Sequence, residues 1–397
     1  MRFLEELASR RRFGMKPGLD TIRRVCAALG HPEARFPAVH IAGTNGKGAT
    51  AAILERAFIE AGMKTGRYTS PHLVSLNERF FLDGAPVCDE TLDRLAAMVP
   101  QVDGLTFFEA LTAVAFLLYA EAGVDVAVLE TGLGGRLDAT NVCSPRLCVI
   151  TRIGLDHCGW LGDTVEKIAA EKAGIIKPSV PVVLGGNATE VREIVEARAR
   201  ELGAPFSYAP SIASESDIPA DFPLAGAFNR ENAVTAIAAL KVLGVPAKGF
   251  GRIVWPGRYQ KTGEFIVDGA HNPPAAKALA AALEADGVPV RSLNLIAGFC
   301  GDKDVHEVLK IIAPFVRRGY AVKTGNPRSL PAAGTSAMMR LAGIDSRPCE
   351  SLDEAISLSR GSPSLVCGSL FLAGEALVAL GAFPWRSSRF DPSEALS

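Results

Sequence analysis

Neither sign of charge is in excess in this sequence: 42 Lys and Arg stand against 43 Asp and Glu, a formal net charge of -1. That balance removes the long-range field that draws a protein to nucleic acid or to an anionic membrane surface, so a small-molecule partner is expected instead. No CxxC pair occurs among the eight cysteines, at 26, 88, 143, 148, 158, 300, 349 and 367. A chain of 397 residues can bury its cores without covalent staples, so the thiols read as reduced and mostly buried. Long apolar runs are missing too. The longest, ALTAVAFLLYA from Ala110 to Ala120, falls well short of the roughly 20 residues a membrane span requires and reads as a buried helix. The N-terminal MRFLEELASRRRFG alternates charged and apolar residues and lacks the apolar stretch of a secretory signal, so a cytoplasmic protein is expected. Repeats and long low-complexity tracts are absent.

What is present is an α/β rhythm. Short apolar runs ending in Gly, Ser, Thr or Asp, each followed by an Ala-rich helical stretch, recur from residue 38 onward and predict parallel sheets. Strands are expected at AVHIAG, KTGRYT, VDVAVLE, LCVITRIG and VPVVLG, with helices after the loop at 43–48, over 107–121 and over 164–173. A helix over Glu231 to Leu243 precedes the Gly- and Pro-rich GVPAKGFGRIVWPGRYQ, after which the pattern restarts with GEFIVDGAHNPPAAKALAAAL, LNLIAGFCGDKD, YAVKTGNP and SLVCGSLFLAGEALVAL. The expected division is therefore a first domain over 1–250 and a smaller one over 251–397, with 210–224 as loop and a frayed tail after Pro384. In open parallel sheets ligands bind at the carboxyl ends of the strands, so chemistry is sought there.

HIAGTNGKGAT, His40 to Thr50, places Gly43, Thr44, Asn45, Gly46, Lys47 and Gly48 between a strand and a helix expected to open at Ala49. Backbone N–H groups and a helix N-terminus wrap an anion in that context, and Lys47 would lie against the β- and γ-phosphates of a nucleotide. The loop is shorter than G-x-x-x-x-G-K-S/T, and Gly48 stands where that loop carries a metal-holding hydroxyl. Mg²⁺ wants hard oxygen ligands, so carboxylates and a hydroxyl at neighbouring strand ends would have to supply them. Glu130 ends a buried strand, Ser70 follows another in RYTSPH, and Asp156 and His157 follow a third in GLDHCGW. Taken singly, Glu130 also fits a cap on the Gly-rich turn after it, Ser70 an ordinary turn residue and His157 a satisfied polar side chain.

With these pieces in place the sequence resembles the folylpolyglutamate synthases and dihydrofolate synthases, within the Mur-type ligases. The matching segments are HIAGTNGKGAT, YTSPHLVSLNERF, FFEALTAVAF, LETGLGGRLDATN, ITRIGLDHCGWLG, EKAGIIK, PGRYQ, DGAHNPPAAKAL and GDKD, in the family's order over about residues 38–304. The resemblance implies a P-loop-containing, Mur-ligase-type ATPase domain with a parallel-type central sheet that binds ATP and the pterin substrate. It implies, too, a smaller Rossmann-like α/β C-terminal glutamate-ligase domain. The implied reaction is ATP-dependent amide formation: a carboxylate on dihydropteroate or a reduced folate becomes an acyl phosphate, and the amino group of L-glutamate attacks it. Such phosphoryl transfer is catalysed by positioning and charge neutralisation.

By the same resemblance one Mg²⁺ is held by Ser70, Glu130 and His157, and Lys172 in AEKAGI is the family's carbamylated lysine, a ligand to a second Mg²⁺. Phe108 and Glu109 in FFEA, and Arg136, Leu137 and Asp138 in GGRLDATN, match the segments that contact the pterin-bearing substrate; one of Phe107 and Phe108 is expected to be core. Adenine and ribose contacts fall on Asn232, Arg258 and Asp268, and His271 is expected to face the phosphates from the second domain, with Asp302 and Lys303 beside it. Lys47, His271 and Lys172 form the expected catalytic set. A site shared by two domains implies closure about the 245–257 linker and an inactive open form. The chain departs from the family at GAFNREN, with Phe228 and Asn229 where a His-Gln pair is usual, and at Ala49, where a hydroxyl residue is common. A monomer is expected. Two other readings are a ligase acting on a UDP-sugar peptide, against which SPHL and GLGGRLDATN argue, and a non-catalytic nucleotide-binding protein, for which DGAHNP has no use.

Overall fold

The structure, a computed structural model, describes residues 18–301 and 304–385. Asp302, Lys303 and the expected frayed tail beyond Trp385 lie outside the described residues.

The described residues form two sheets. The first takes strands β1 (Ala38–Ala42), β2 (Thr65–Tyr68), β3 (Phe80–Leu82), β4 (Ala85–Pro86), β5 (Val126–Glu130), β6 (Pro145–Ile150), β7 (Val182–Leu184) and β8 (Phe206–Tyr208), in the order β4-β3-β2-β5-β1-β6-β7-β8. Neighbours from β2 to β8 run parallel, whereas β3 pairs antiparallel with β2 and β4 antiparallel with β3. β1 and β5 are buried along their whole length, which is why AVHIA and VAVLE read as nearly unbroken apolar runs. The exception in β1, His40, is fully buried; its Nε2 lies 2.8 Å from Thr140 Oγ1, and burial pulls its pKa down to about 3, so it is neutral.

The second sheet takes β9 (Gln260–Thr262), β10 (Phe265–Val267), β11 (Leu293–Ala297), β12 (Val316–Ala321), β13 (Ser346–Pro348) and β14 (Ser364–Cys367), in the order β13-β12-β11-β14-β10-β9, parallel except for β9. Six helices matter for the site: α1 (Lys47–Glu60), α2 (Phe107–Ala122), α3 (Val165–Ala173), α4 (Ala227–Leu243), α5 (Pro273–Ala285) and α6 (Leu370–Ala379). Thr106 and Glu109 close a capping box at the start of α2, and Gly123 ends it in the left-handed conformation that residues with a Cβ avoid.

Several expectations are corrected. Helix α1 opens at Lys47, not Ala49, because the left-handed Gly46 (φ 87°) turns the chain into the helix at once. β6 stops at Ile150, releasing Thr151 to Gly154 into the loop, and β12 begins at Val316, before YAVKTGNP. The 210–224 stretch carries the end of a short helix, Ala209–Ile212, and a 3₁₀ turn, Glu215–Asp217. β3, β4, β9 and β13 are too short to show a period in sequence.

The two units share apolar surface. Leu73 and Val74 of the first lie in one cluster with Phe265, Val267 and Leu372 of the second, and Phe228 packs against the second unit's core.

Candidate active site

Because β2, β5, β1 and β6 are parallel and adjacent, the residues after each of them emerge along one edge. The loop after β1 is anchored at its start: Thr44 N and Asn45 N donate to Arg152 O at 2.9 and 3.3 Å, and Thr44 Oγ1 both donates to Gly154 O (3.0 Å) and accepts from Gly154 N (3.1 Å). Those two amides are therefore committed to the scaffold, and the anion-binding role falls to the first turn of α1, whose N–H groups helix geometry leaves without intrahelical partners. Gly46, at the N-cap, contributes no side-chain cap. A Cβ on Gly46 would sit 2.0 Å from Asn232 Oδ1, and one on Gly48 2.3 Å from the Trp255 ring. The loop is thus walled by α4 on one side and by the inter-unit linker on the other.

Lys47 Nζ donates to Thr44 O at 3.2 Å and lies 3.8 Å from Glu130 Oε1. Glu130 is 4% exposed, and its Oε2 accepts from Ser70 N at 3.1 Å. Burial pushes its carboxyl pKa up, opposed by Lys47, by the Ser70 amide and by the charges of Arg258 and Arg67. Arg258 reaches this point from the second unit; half-buried, it is held between the charges of Glu130 and Asp268. Asp268 is buried and accepts from Tyr259 N and Ala270 N, both at 2.7 Å. His271 Nδ1 lies 2.8 Å from Gly269 O.

Lys172 is buried, and its Nζ donates to Gly43 O at 2.7 Å. Burial, then the nearby Lys47 charge, pull its pKa down to about 7, against the opposing pull of Asp156 and Asp138. His157 stands with its side chain 44% exposed, in a left-handed backbone conformation (φ 52°), with Nε2 3.9 Å from Asp156 Oδ2. Among the described residues no three His, Cys, Asp or Glu side chains converge into a metal-holding group.

The residues expected against the pterin fall into two kinds. Phe107 belongs to the core, whereas Phe108 is only partly buried, packing on Tyr68 with ring centroids 6.0 Å apart and facing Gly132. Leu137 is partly buried, and Arg136 is exposed, donating to Glu171 Oε1 at 2.7 Å. Glu109 and Asp138 are both buried and both have local partners: Glu109 Oε2 accepts from Thr106 N and Oγ1, while Asp138 accepts from Gly132 N, Leu133 N, Thr140 N and Thr140 Oγ1. Their carboxylates brace the start of α2 and the 132–140 loop. A signal for Glu109 was in the sequence, since T-F-F-E is a capping-box spacing.

Two contributors went unforeseen, Trp255 over Gly48 and Thr151 Oγ1 donating to Asn45 O at 2.8 Å; Asp156, a strand-end candidate in the sequence, has an unforeseen partner, its Oδ2 accepting from Asn272 Nδ2 of the second unit at 3.0 Å. Phe228, a departure noted in the sequence, serves the seam between units; Asn229 donates from Nδ2 to Ala225 O at 2.7 Å.

Residues 41–198 match the Mur ligase middle domain, and residues 251–370 match the Mur ligase, glutamate ligase domain. The dihydrofolate synthase/folylpolyglutamate synthase of Bacillus subtilis is 39% identical over 313 residues, 68% of this chain and 73% of that one. E. coli FolC, solved in complex with DHPP and ADP, is 30% identical with a TM-score of 0.86 over 96% of this chain and 97% of that one. A bifunctional folylpolyglutamate synthase/dihydrofolate synthase from Yersinia pestis, complexed with AMPPNP and a manganese ion, is 28% identical with a TM-score of 0.84, also over 96% and 97%.

Proposed function

This chain belongs to the folylpolyglutamate synthase/dihydrofolate synthase family of Mur ligases, and from that premise we propose how its own residues carry the reaction. It is an ATP-dependent ligase that joins L-glutamate to a folate-type acceptor, with a divalent metal ion as cofactor. The acceptor presents a carboxylate, on dihydropteroate or on a reduced folate. One carboxylate oxygen attacks the γ-phosphorus, the bond to the β-γ bridging oxygen breaks, and ADP leaves. The glutamate amine then attacks the acyl carbon, loses a proton and expels phosphate.

The observation that carries this reading is the buried Glu130 beside Lys47, 3.8 Å from its ammonium, at the mouth of the phosphate loop. Lys47 and the first-turn amides of α1 offset the charge that builds on the transferred phosphoryl group, and Arg258 adds a second cation from the opposite unit. Asn232, against Gly46, lines the nucleotide side of the loop, and Asp268 holds Arg258. His271 approaches from the second unit. The donor chemistry suits a hard divalent cation, which we take to be Mg²⁺: the Glu130 carboxylate, pushed toward its neutral form by burial, regains its charge beside such an ion. Ser70, Glu130 and His157 would hold one ion, which when bound neutralises phosphate charge.

Lys172 suits the carbamate role. An amine with its pKa near 7 keeps a substantial neutral fraction at neutral pH, where an ordinary lysine has almost none, and that fraction can add CO₂, releasing one proton and gaining a carbamate oxygen pair to serve a second ion. Phe108, Arg136 and Leu137 border the acceptor side, with Glu109 and Asp138 as supports. Closure about the 245–257 linker keeps water from the acyl phosphate. We take the enzyme to be a cytoplasmic monomer; no described helix is long and apolar enough to cross a membrane.

The test is ADP release with L-glutamate present, comparing dihydropteroate, tetrahydrofolate and no acceptor. Release that depends on a pterin supports the reading; release that ignores both pterins ends it.

A further inference from the structure

Asp156 and Asn272, 116 residues apart in the chain, meet where the two units close on each other. Asp156 follows β6, its side chain 18% exposed; Oδ1 accepts from His157 N at 2.9 Å, and Oδ2 accepts from Asn272 Nδ2 at 3.0 Å. Asn272 is 5% exposed and caps α5, its Oδ1 accepting from Ala275 N at 2.9 Å. The amide oxygen thus holds the second unit's helix, and the amide nitrogen reaches across to the first. The backbones are close at the same place: a Cβ on Gly154 would lie 3.7 Å from Pro274 Cγ.

Arg258 adds a charge contact with Glu130 across the seam, but the packed contacts there are of a different kind. Leu73 and Val74 in the second unit's apolar cluster, and Phe228 on its core, hold the units together without fixing their register, because apolar contact is non-directional. A hydrogen bond to a charged acceptor is directional and short-ranged. It also joins the residue before His157 to the residue after His271.

We propose that Asp156 and Asn272 are a positioning pair: their hydrogen bond sets the second unit over the phosphate loop, so that ATP turnover ends in the amide and not in hydrolysis of the acyl phosphate. The inference rests on the ligase reading above. A seam that fails to seat would admit water to the intermediate while leaving each half of the site intact.

The test is a polarity exchange. Asn272→Asp keeps the helix cap, since Asp caps as well as Asn, but sets a second carboxylate against Asp156. Amide formation should fall by about tenfold to a hundredfold, the effect of losing one hydrogen bond to a charged group, and more than one phosphate should be released per glutamate incorporated. The double variant Asp156→Asn/Asn272→Asp restores a donor and an acceptor in reversed order, and should return the stoichiometry to about one. Small-angle scattering with AMPPNP bound reads the seam without catalysis: Asn272→Asp should have the larger radius of gyration, and the exchange variant the unmodified protein's. A single variant with unchanged rate, unit stoichiometry and unchanged radius overturns the pair, as does an exchange variant no better than the single. Failure of the unmodified protein to form any amide would instead sink the ligase reading, and the scattering would still decide the pair.

Discussion

Lys172 Nζ donates to the carbonyl oxygen of Gly43 at 2.7 Å, so a buried amine on α3 fastens the first residue of the phosphate loop. The amine does so at a cost in charge, because burial and Lys47 pull its pKa from 10.5 to about 7. Between those values the unfolded chain holds a proton that the folded chain has released, so stability climbs with pH across that window, while below it the buried ammonium is a full liability. Urea denaturation in CO₂-free buffer at about pH 7 and about pH 9 should show this rise, and Lys172→Met should flatten it. An equal slope in both proteins would mean that the amine does not titrate as placed.

Lys47→Ala removes the cation that faces the transferred phosphoryl group. Turnover should drop by roughly 10²–10³-fold, the scale seen when one preorganised stabilising group is deleted. Steady-state ADP release decides it; a fall confined to the KM for the acceptor would assign Lys47 to another task.

Glu130 titrates with the opposite sign of consequence. Its folded pKa is raised by burial, so the stability it contributes is fully present below the unfolded value of 4.5 and is lost as pH rises through the folded one. At neutral pH without metal, Glu130→Gln should be at least as stable as the unmodified protein. Addition of Mg²⁺ should then raise the melting temperature of the unmodified protein alone. Equal metal-induced shifts in both would remove Glu130 from the ligand set.

Gly46→Ala brings two penalties, a left-handed φ of 87° and a Cβ 2.0 Å from Asn232 Oδ1. The strain should lower stability by about 1–3 kcal/mol, and displacement of the loop should raise the KM for ATP. Chemical denaturation and ATP titration measure the two separately, and an unchanged KM would show that the loop does not touch nucleotide.

Asp138 separates a supporting role from a contacting one. Its two oxygens accept from four donors in the 132–140 loop. Asp138→Ala should therefore destabilise the protein by about 1–3 kcal/mol through the amides left unpaired. A loss of acceptor affinity with the melting curve unmoved would instead make Asp138 a direct contact.

Much of the architecture could be read before any coordinates. AVHIA and VAVLE are apolar but for His40 and the terminal Glu130 because each is covered on both faces, and the Gly-rich turn after β1 announces a phosphate loop because only small residues let α4 and the linker approach that closely. The capping box Thr106–Glu109 was equally readable, since T-F-F-E carries its spacing. Helix α1 opening at Lys47 turned on a single left-handed glycine.

The contacts that span the chain were not readable. Trp255 against Gly48, Arg258 beside Glu130 and Asp156 with Asn272 join segments whose sequences carry no mark of one another. Side-chain periodicity, turn chemistry and loop composition are local properties, governed by a few neighbouring torsions, and so this sequence by itself determined its strands, its helices and the residue types at the strand ends. Which of those residues face one another depends on how two sheets dock, a sum of many weak non-directional contacts that only the folded chain resolves. Packing within the first unit set the charge state of Lys172, and that docking decided the approach of Arg258 to Glu130 and the pairing across the seam.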